Sequence, residues 1–254
     1  MIDLHGKIAL VTGSSRGIGR ACAIRLAEAG ADIVLNYVSS KSAAMDVADE
    51  IQALGRDAAV IKADVSQRDD VESMIEFIKL EFGGLNIIVS NAATGGFRPL
   101  LATTDRNFDA AMQINVRPLI YLVQAAAPLL EASDDRAKVV AVSSHGAVIA
   151  LPMYGTIGSS KAALEATVRH FALELGDRGI NFNVVRAGLV ETDSTRKLPF
   201  ADQLFAGRIE KSMTGERFLS DRDVADAVLY LASPLSDLVQ GETLVVDGGA
   251  AVHV

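Results

Sequence analysis

Tryptophan is absent from this chain, and its single cysteine is Cys22. One thiol excludes a disulfide framework and any metal site built from several thiolates. Cys22 falls inside an apolar helical pattern and reads as a small core residue. Aromatic residues make up only 5% of a chain that is 50% hydrophobic, so the core must be built mostly from Ala, Val, Ile and Leu. No apolar run reaches the ~20 residues that a membrane span needs. The opening MIDLHGKIALVTG lacks the basic segment and long apolar stretch of a secretory leader, and a soluble, cytoplasmic protein is expected. Cations are outnumbered. A formal net charge of −8 argues against nucleic acid or an anionic membrane as partner. His5, His145, His170 and His253 show no ligand spacing, and no metal site is expected.

The length of 254 residues suits one large α/β domain or two small ones. Short apolar segments at 7–12, 32–37, 58–63, 86–90, 138–143, 181–186 and 243–246 read as buried strands. Between them lie helical patterns at 17–29, 40–54, 68–82, within 105–131, at 159–175 and at 221–232, with Gly30 and Gly55 closing the first two. Strict alternation of near-continuous apolar strands with helices predicts a parallel sheet covered on both faces. Right-handed crossovers make it a doubly wound Rossmann-type sheet, in one domain over 1–254. Ligands of such sheets bind beyond the carboxyl ends of the strands, so chemistry is sought just after each strand.

After the first strand comes Gly13-Ser14-Ser15-Arg16-Gly17-Ile18-Gly19, a G-x3-G-x-G spacing. Glycines let the backbone turn tightly and approach a pyrophosphate, and the following helix offers free N–H groups at its positive end. Gly13, Ser15, Arg16, Gly17, Ile18 and Gly19 are therefore expected to hold a dinucleotide. At the end of the second strand, Asn36-Tyr37-Val38-Ser39-Ser40-Lys41 carries no carboxylate to repel a 2′-phosphate. Arg16 can supply a cation, and Ser39, Ser40 and Lys41 add donors, with Asn36 also expected at the cofactor. NADPH is the expected cofactor. Asp64 and Val65 past the third strand suit the adenine, and Asn91 and Ala92 past the fourth suit the ribose.

Together these residues resemble the short-chain dehydrogenase/reductase family along essentially the whole chain, from the Gly13 loop to Val246-Asp247-Gly248-Gly249. The resemblance implies a catalytic Tyr whose hydroxyl is made more acidic by a nearby Lys and by the nicotinamide. It implies that Asn115 kinks a helix and holds a relay water. It also implies that Gly188, Val190 and Thr192 fix the carboxamide, and that Lys161 binds nicotinamide ribose hydroxyls. Ala187 stands where the family usually has Pro. The departure that carries information is the spacing Tyr154-x6-Lys161, with Ile157 in the nearer position where the family has its Tyr. Within the family this pair is similar to that of the enoyl-acyl-carrier-protein reductases. The stretches Asn36-Tyr37, Ser90-Asn91-Ala92-Ala93 and Ser160-Lys161-Ala162-Ala163-Leu164-Glu165-Ala166 resemble the NADPH-dependent third type. Ser144 stands ten residues before Tyr154, where the first type carries a second Tyr. Either Ser143, in an S-x-x-G pattern with Gly146, or Ser144 faces the substrate, and strand register favours Ser144.

Spacing and reaction fit. A ketoreductase delivers hydride and proton to the two atoms of one C=O bond. An enoyl thioester takes hydride at C3 while charge appears on the more distant C1 oxygen, so the donor must stand further from the nicotinamide. Seven residues of helix would separate Tyr154 and Lys161 by ~10 Å along the axis, against ~6 Å for a gap of three. Gly155 and Gly158 weaken helix there, which favours a helix that starts after Tyr154. The expected catalytic set is Tyr154, Lys161, Ser144 and Asn115, reducing the C2=C3 bond of an enoyl thioester. The alternatives are a 3-oxoacyl or other carbonyl reductase, or a non-catalytic NADP(H)-binding regulator. Residues 193–216 lose regular pattern. Phe200, Leu204, Phe205, Ile209 and Met213 could close over an acyl chain or simply pack. Arg196, Lys197, Arg208, Lys211 and Arg217 could meet an acidic acyl carrier protein or be solvated. The resemblance implies a homodimer or homotetramer.

Overall fold

The computed structural model describes residues 2–196 and 201–252. Seven parallel strands form one sheet in the order β3-β2-β1-β4-β5-β6-β7: β1 (Ile8–Val11), β2 (Asp32–Tyr37), β3 (Ala58–Lys62), β4 (Ile87–Ser90), β5 (Ala137–Ser144), β6 (Ile180–Ala187) and β7 (Thr243–Val246). The expected strands lie within a residue or two of these. β1 pairs with β2 on one side and β4 on the other, Val11 facing Leu35 and Val89. The chain reverses its direction of growth there, which opens a crevice beyond the carboxyl ends of β1 and β4.

Alternate strand residues feed two cores, because side chains in a strand point to opposite faces. Val11, Ile33, Val89, Val140 and Val185 pack beneath α1 (Gly17–Glu28), α2 (Lys41–Ala53) and α9 (Asp221–Leu231). Leu10, Val34, Ile88, Val139 and Val184 pack beneath α3 (Arg68–Phe82), α5 (Arg117–Glu131) and α6 (Gly155–Leu175). Cys22 is fully buried in the first core. Both faces of each central strand are covered, and this explains why the strand sequences are apolar throughout rather than alternating.

Two helices are shaped at their ends. The stretch 105–131 divides into α4 (Asp105–Asn115) and α5 at Val116, whose φ of −116° and ψ of −55° leave the regular helical region. Pro118 sits in the first turn of α5, where a missing N–H costs nothing. α6 begins at Gly155, directly after Tyr154 as the glycines favour and four residues before the start of the regular pattern at 159, and so contains both glycines. They act by close approach rather than as breakers: a Cβ on Gly158 would come within 2.5 Å of the Gly146 carbonyl oxygen. α7 (Asp193–Arg196) and α8 (Ala201–Glu210) complete the segment before α9. Among the described residues no helix is long and apolar enough to cross a membrane.

Candidate active site

The loop after β1 is braced from both neighbouring strands. Thr12 Oγ1 accepts the N–H groups of Asn91 and Ala92, each at 3.0 Å, and the Asn91 amide donates to the Thr12 carbonyl at 2.9 Å. From the β2 side, Asn36 Oδ1 accepts from the Gly13 N–H at 3.3 Å while its Nδ2 donates to the Ala63 carbonyl at 2.9 Å. Asn36 is 1% exposed, so its side chain shapes the loop from beneath. Gly19 has no room for a side chain: a Cβ there would meet the Gly13 carbonyl oxygen and come within 2.5 Å of Asn91 Nδ2. At the N-cap of α1, Arg16 makes no side-chain capping bond, and the first turn holds no acidic residue. The positive end of α1 thus meets the crevice uncompensated, a fit for a pyrophosphate.

Arg16, Ser39 and Lys41 are exposed around that crevice, with Ser15, Ile18 and Ser40 half-buried. The Asp64 carboxylate accepts from the Ser66 N–H at 2.9 Å and hydroxyl at 2.7 Å, and Val65 is buried beside it. Beyond β6, Gly188 packs against Asp247 and His145. Val190 is buried, and its carbonyl accepts from Thr195 Oγ1 at 2.7 Å, which in turn accepts from the Thr192 N–H at 2.8 Å. Thr195 thus shapes this turn, a part not expected from sequence.

Tyr154 caps α6 from outside the helix, with φ −103° and ψ 4°. Met153 before it holds a φ of 59°, a left-handed conformation that costs a non-glycine residue about 1–3 kcal/mol. Its carbonyl accepts the Arg98 N–H at 2.8 Å, and the Phe97 ring lies 5.7 Å from the Tyr154 ring. The Tyr154 hydroxyl is 2.9 Å from Ser144 Oγ. Burial pushes the phenol pKa up, and the Ser144 hydrogen bond opposes this in part. Ser143, one residue earlier, points to the other face of the strand, where its hydroxyl donates to Glu165 Oε1 at 2.6 Å. Arg186 closes that buried group with two hydrogen bonds to Glu165. Ser144 therefore is the serine that meets Tyr154.

Lys161, seven residues further along in α6, is buried and donates to the Val142 carbonyl at 2.7 Å. Burial holds its pKa down at about 8, with the Glu165 charge pulling the other way. Asn115 accepts from the Thr94 N–H at 2.8 Å and donates to the Thr94 carbonyl and to Ser160 Oγ, both at 2.9 Å. It ties the α4–α5 break to the loop after β4 and to α6. Ile157 is buried against Gly95, its side chain filling the space where a Gly95 Cβ would stand. The usual place for a reactive Tyr is thus packed shut.

A cavity of about 500 Å³ opens beside Tyr154, walled by Leu100, Val148, Ile149, Leu151 and Met153. This wall was not anticipated. The apolar run AVIALPM, two residues after β5, was the available signal. Leu204, Phe205, Ile209 and Met213 do not line that cavity. Leu204 and Met213 are exposed, and Phe205 is buried edge-on to Phe218 at 5.5 Å. Phe200, Lys197 and His253 lie outside the described residues. Of the basic cluster, Arg196 pairs with Glu191 and Asp202, and Arg217 with Asp223. Arg208 is half-buried, with Nε and Nη1 lacking hydrogen bonds. His145 Nε2 lies 2.9 Å from Asp247 Oδ2, at ion-pair distance but off the hydrogen-bonding direction. Burial pushes its pKa down, against the pull of Asp247.

Comparison with known proteins agrees with this architecture. Residues 13–251 match the family model described as enoyl-(acyl carrier protein) reductase. A 1-cyclohexenylcarbonyl-CoA reductase of Streptomyces collinus is 32% identical over 97% of this chain and 87% of its own length. A versicolorin reductase of Emericella nidulans is 33% identical over 97% of this chain and 96% of its own. Among solved structures, a short chain dehydrogenase from Burkholderia cenocepacia in complex with NADP superposes with a TM-score of 0.89. It is 35% identical and covers 98% of this chain and 99% of its own.

Proposed function

The chain belongs to the short-chain dehydrogenase/reductase family of oxidoreductases, and from that premise we propose that it is an NADPH-dependent reductase of the C2=C3 bond of enoyl thioesters. One observation carries this reading. The phenol at the mouth of the apolar cavity is Tyr154, placed outside α6 and oriented by Ser144, while the nearer position is closed by Ile157. The similarity to the 1-cyclohexenylcarbonyl-CoA reductase of Streptomyces collinus, which acts on an unsaturated acyl-CoA, and to the enoyl-(acyl carrier protein) reductase family model supports it. A nicotinamide cofactor accords with the glycine loop and with the NADP of the Burkholderia cenocepacia structure.

When bound, NADPH supplies the hydride. Arg16, Ser39, Ser40 and Lys41 would meet the 2′-phosphate, since no carboxylate stands among residues 38–41. Lys161 spends one N–H on Val142 and keeps two donors for ribose hydroxyls. Tyr154 stays protonated at neutral pH because burial raises its pKa. Its hydroxyl donates to the thioester oxygen, where negative charge collects as C3 is reduced, and Ser144 keeps it aimed. A proton drawn from solvent then reaches C2 and completes the saturated thioester, so Tyr154 ends the cycle with its own proton in place. The apolar wall at 148–153 takes the acyl chain and excludes water. We place the enzyme in fatty-acid or related acyl-chain synthesis in the cytoplasm. It would act on a CoA or carrier-protein thioester, as a homodimer or homotetramer through α4, α5 and α6.

A carbonyl reductase is the second reading, because a Ser144–Tyr154 hydrogen bond would equally polarise a ketone and the Emericella nidulans relative is a versicolorin reductase. NADPH oxidation with crotonyl-CoA and with acetoacetyl-CoA separates the two. Turnover of the first alone supports the enoyl reading, turnover of the second alone replaces it, and binding without turnover of either leaves a regulator. Tyr154→Phe is expected to lower turnover by about 100-fold or more while NADPH affinity stays within about twofold.

A further inference from the structure

The cavity beside Tyr154 has one charged side chain in its wall, Arg98. Its backbone is pinned next to the reactive phenol by the hydrogen bond from the Arg98 N–H to the Met153 carbonyl. One corner of the guanidinium is committed, since Nη1 donates to Asn107 Oδ1. Nε is buried and has no hydrogen-bond partner. Among the described residues no carboxylate pairs with Arg98, in contrast to Arg25, Arg186, Arg196, Arg217 and Arg222. Apart from Arg98 the wall is uncharged and largely apolar, including Leu100, Val148, Ile149, Leu151 and Met153. A buried guanidinium N–H without a partner, on a cation that no carboxylate among the described residues neutralises, is costly beside such a wall unless something else completes it. The planar fork of arginine matches the two oxygens of a carboxylate or phosphate.

We propose that Arg98 anchors an oxyanion carried by the substrate, so that this cavity selects thioesters bearing a negative group at a fixed distance from the reacting carbons. The proposal deepens the enoyl-thioester reading and rests on it for the orientation of the substrate. Two sources share this chemistry: a carboxylate at the far end of the acyl chain, and a phosphate on the pantetheine arm of the carrier. Asn107 belongs to the N-terminal cap of α4, where it also bonds Thr104. A purely structural Arg98 would act through that link alone.

The test is calorimetric binding to the NADPH-saturated protein, with saturated probes that cannot react. Butyryl-N-acetylcysteamine is neutral, glutaryl-N-acetylcysteamine adds a terminal carboxylate, and butyryl-CoA adds phosphates. The wild type is expected to bind at least one anionic probe about tenfold more tightly than the neutral one. Arg98→Gln should reduce that preference to within about twofold and leave the neutral probe unchanged, while Asn107→Ala keeps the preference. Loss confined to the glutaryl probe assigns the acyl carboxylate, and loss confined to butyryl-CoA assigns the carrier phosphate. No anion preference in the wild type, no binding of any probe, or an equal change on all three overturns the proposal. Should Arg98→Gln fail to fold, Arg98→Lys, which keeps the charge but not the fork, must still weaken the preference. Binding is read without turnover. An anion preference that persists in a protein inert toward both crotonyl-CoA and its carboxylate-ended analogue glutaconyl-CoA would sink the enoyl reading and spare the anchor.

Discussion

Ser144 Oγ and the Tyr154 hydroxyl lie 2.9 Å apart, whereas Lys161 Nζ is committed to the Val142 carbonyl. The phenol is therefore oriented by the serine. On the reading proposed above, the two remaining N–H groups of the lysine are kept for the cofactor ribose. Neighbouring side chains on β5 thus have separate tasks, because a strand sends successive residues to opposite faces.

Substituting the two serines in turn tests that division. Ser144→Ala removes the bond that lowers the Tyr154 pKa and fixes its ring, so kcat should fall roughly 10- to 100-fold with little change in NADPH affinity. Ser143→Ala instead strips one hydrogen bond from the buried Glu165 carboxylate. It should cost about 1.5–3 kcal/mol in denaturant unfolding and leave kcat much less affected. If Ser143→Ala gives the larger kinetic loss, the assignment of roles is reversed.

The low Lys161 pKa makes a prediction about pH. The group is charged below about 8 and neutral above it. NADPH affinity, measured by fluorescence titration, should weaken as pH rises through that value, and Lys161→Met should bind more weakly with a flat profile. Stability moves the opposite way. An ordinary lysine keeps its proton to 10.5, so above about pH 8 the unfolded chain holds a proton that the folded chain lacks, and stability gained from this group rises with pH. Urea unfolding at pH 7 and 9.5 should show that gain in the wild type, and a smaller one in Lys161→Met.

Gly19→Ala tests the loop as a binding element. The added methyl would press on the Gly13 carbonyl and Asn91 Nδ2, and backbone must move to admit it. NADPH affinity should fall at least about 100-fold, since the helix N-terminus loses its approach to the pyrophosphate. An unchanged dissociation constant would show that the loop does not hold the dinucleotide.

Much of the site was readable because each piece is local. The glycine spacing, the absence of acid after β2 and the seven-residue interval from Tyr154 to Lys161 are all properties of short stretches. Residues whose roles depend on distant partners were not readable. Glu165 was met only as part of a helical stretch, and its pairing with Ser143 and Arg186 joins α6 to β5 and β6. Asn36 was expected at the cofactor and is found bracing Gly13 and Ala63 from below, a role that needs three chain segments at once. The acyl wall was sought at 193–216 because its pattern is irregular, yet the cavity beside the phenol is walled by 148–153 and the loop around Arg98.

Sequence alone determined the doubly wound sheet, since strands buried on both faces must be apolar throughout and helices between them must be amphipathic. It also placed the chemistry beyond the carboxyl ends of the strands, while the strand order that opens the crevice between β1 and β4 belongs to the tertiary structure. Tertiary structure decided which serine meets Tyr154, why Ile157 shuts the nearer position, and which arginine of the cavity wall is left, among the described residues, without a carboxylate partner. Those outcomes depend on close packing between segments far apart in the chain, and periodicity carries no record of that.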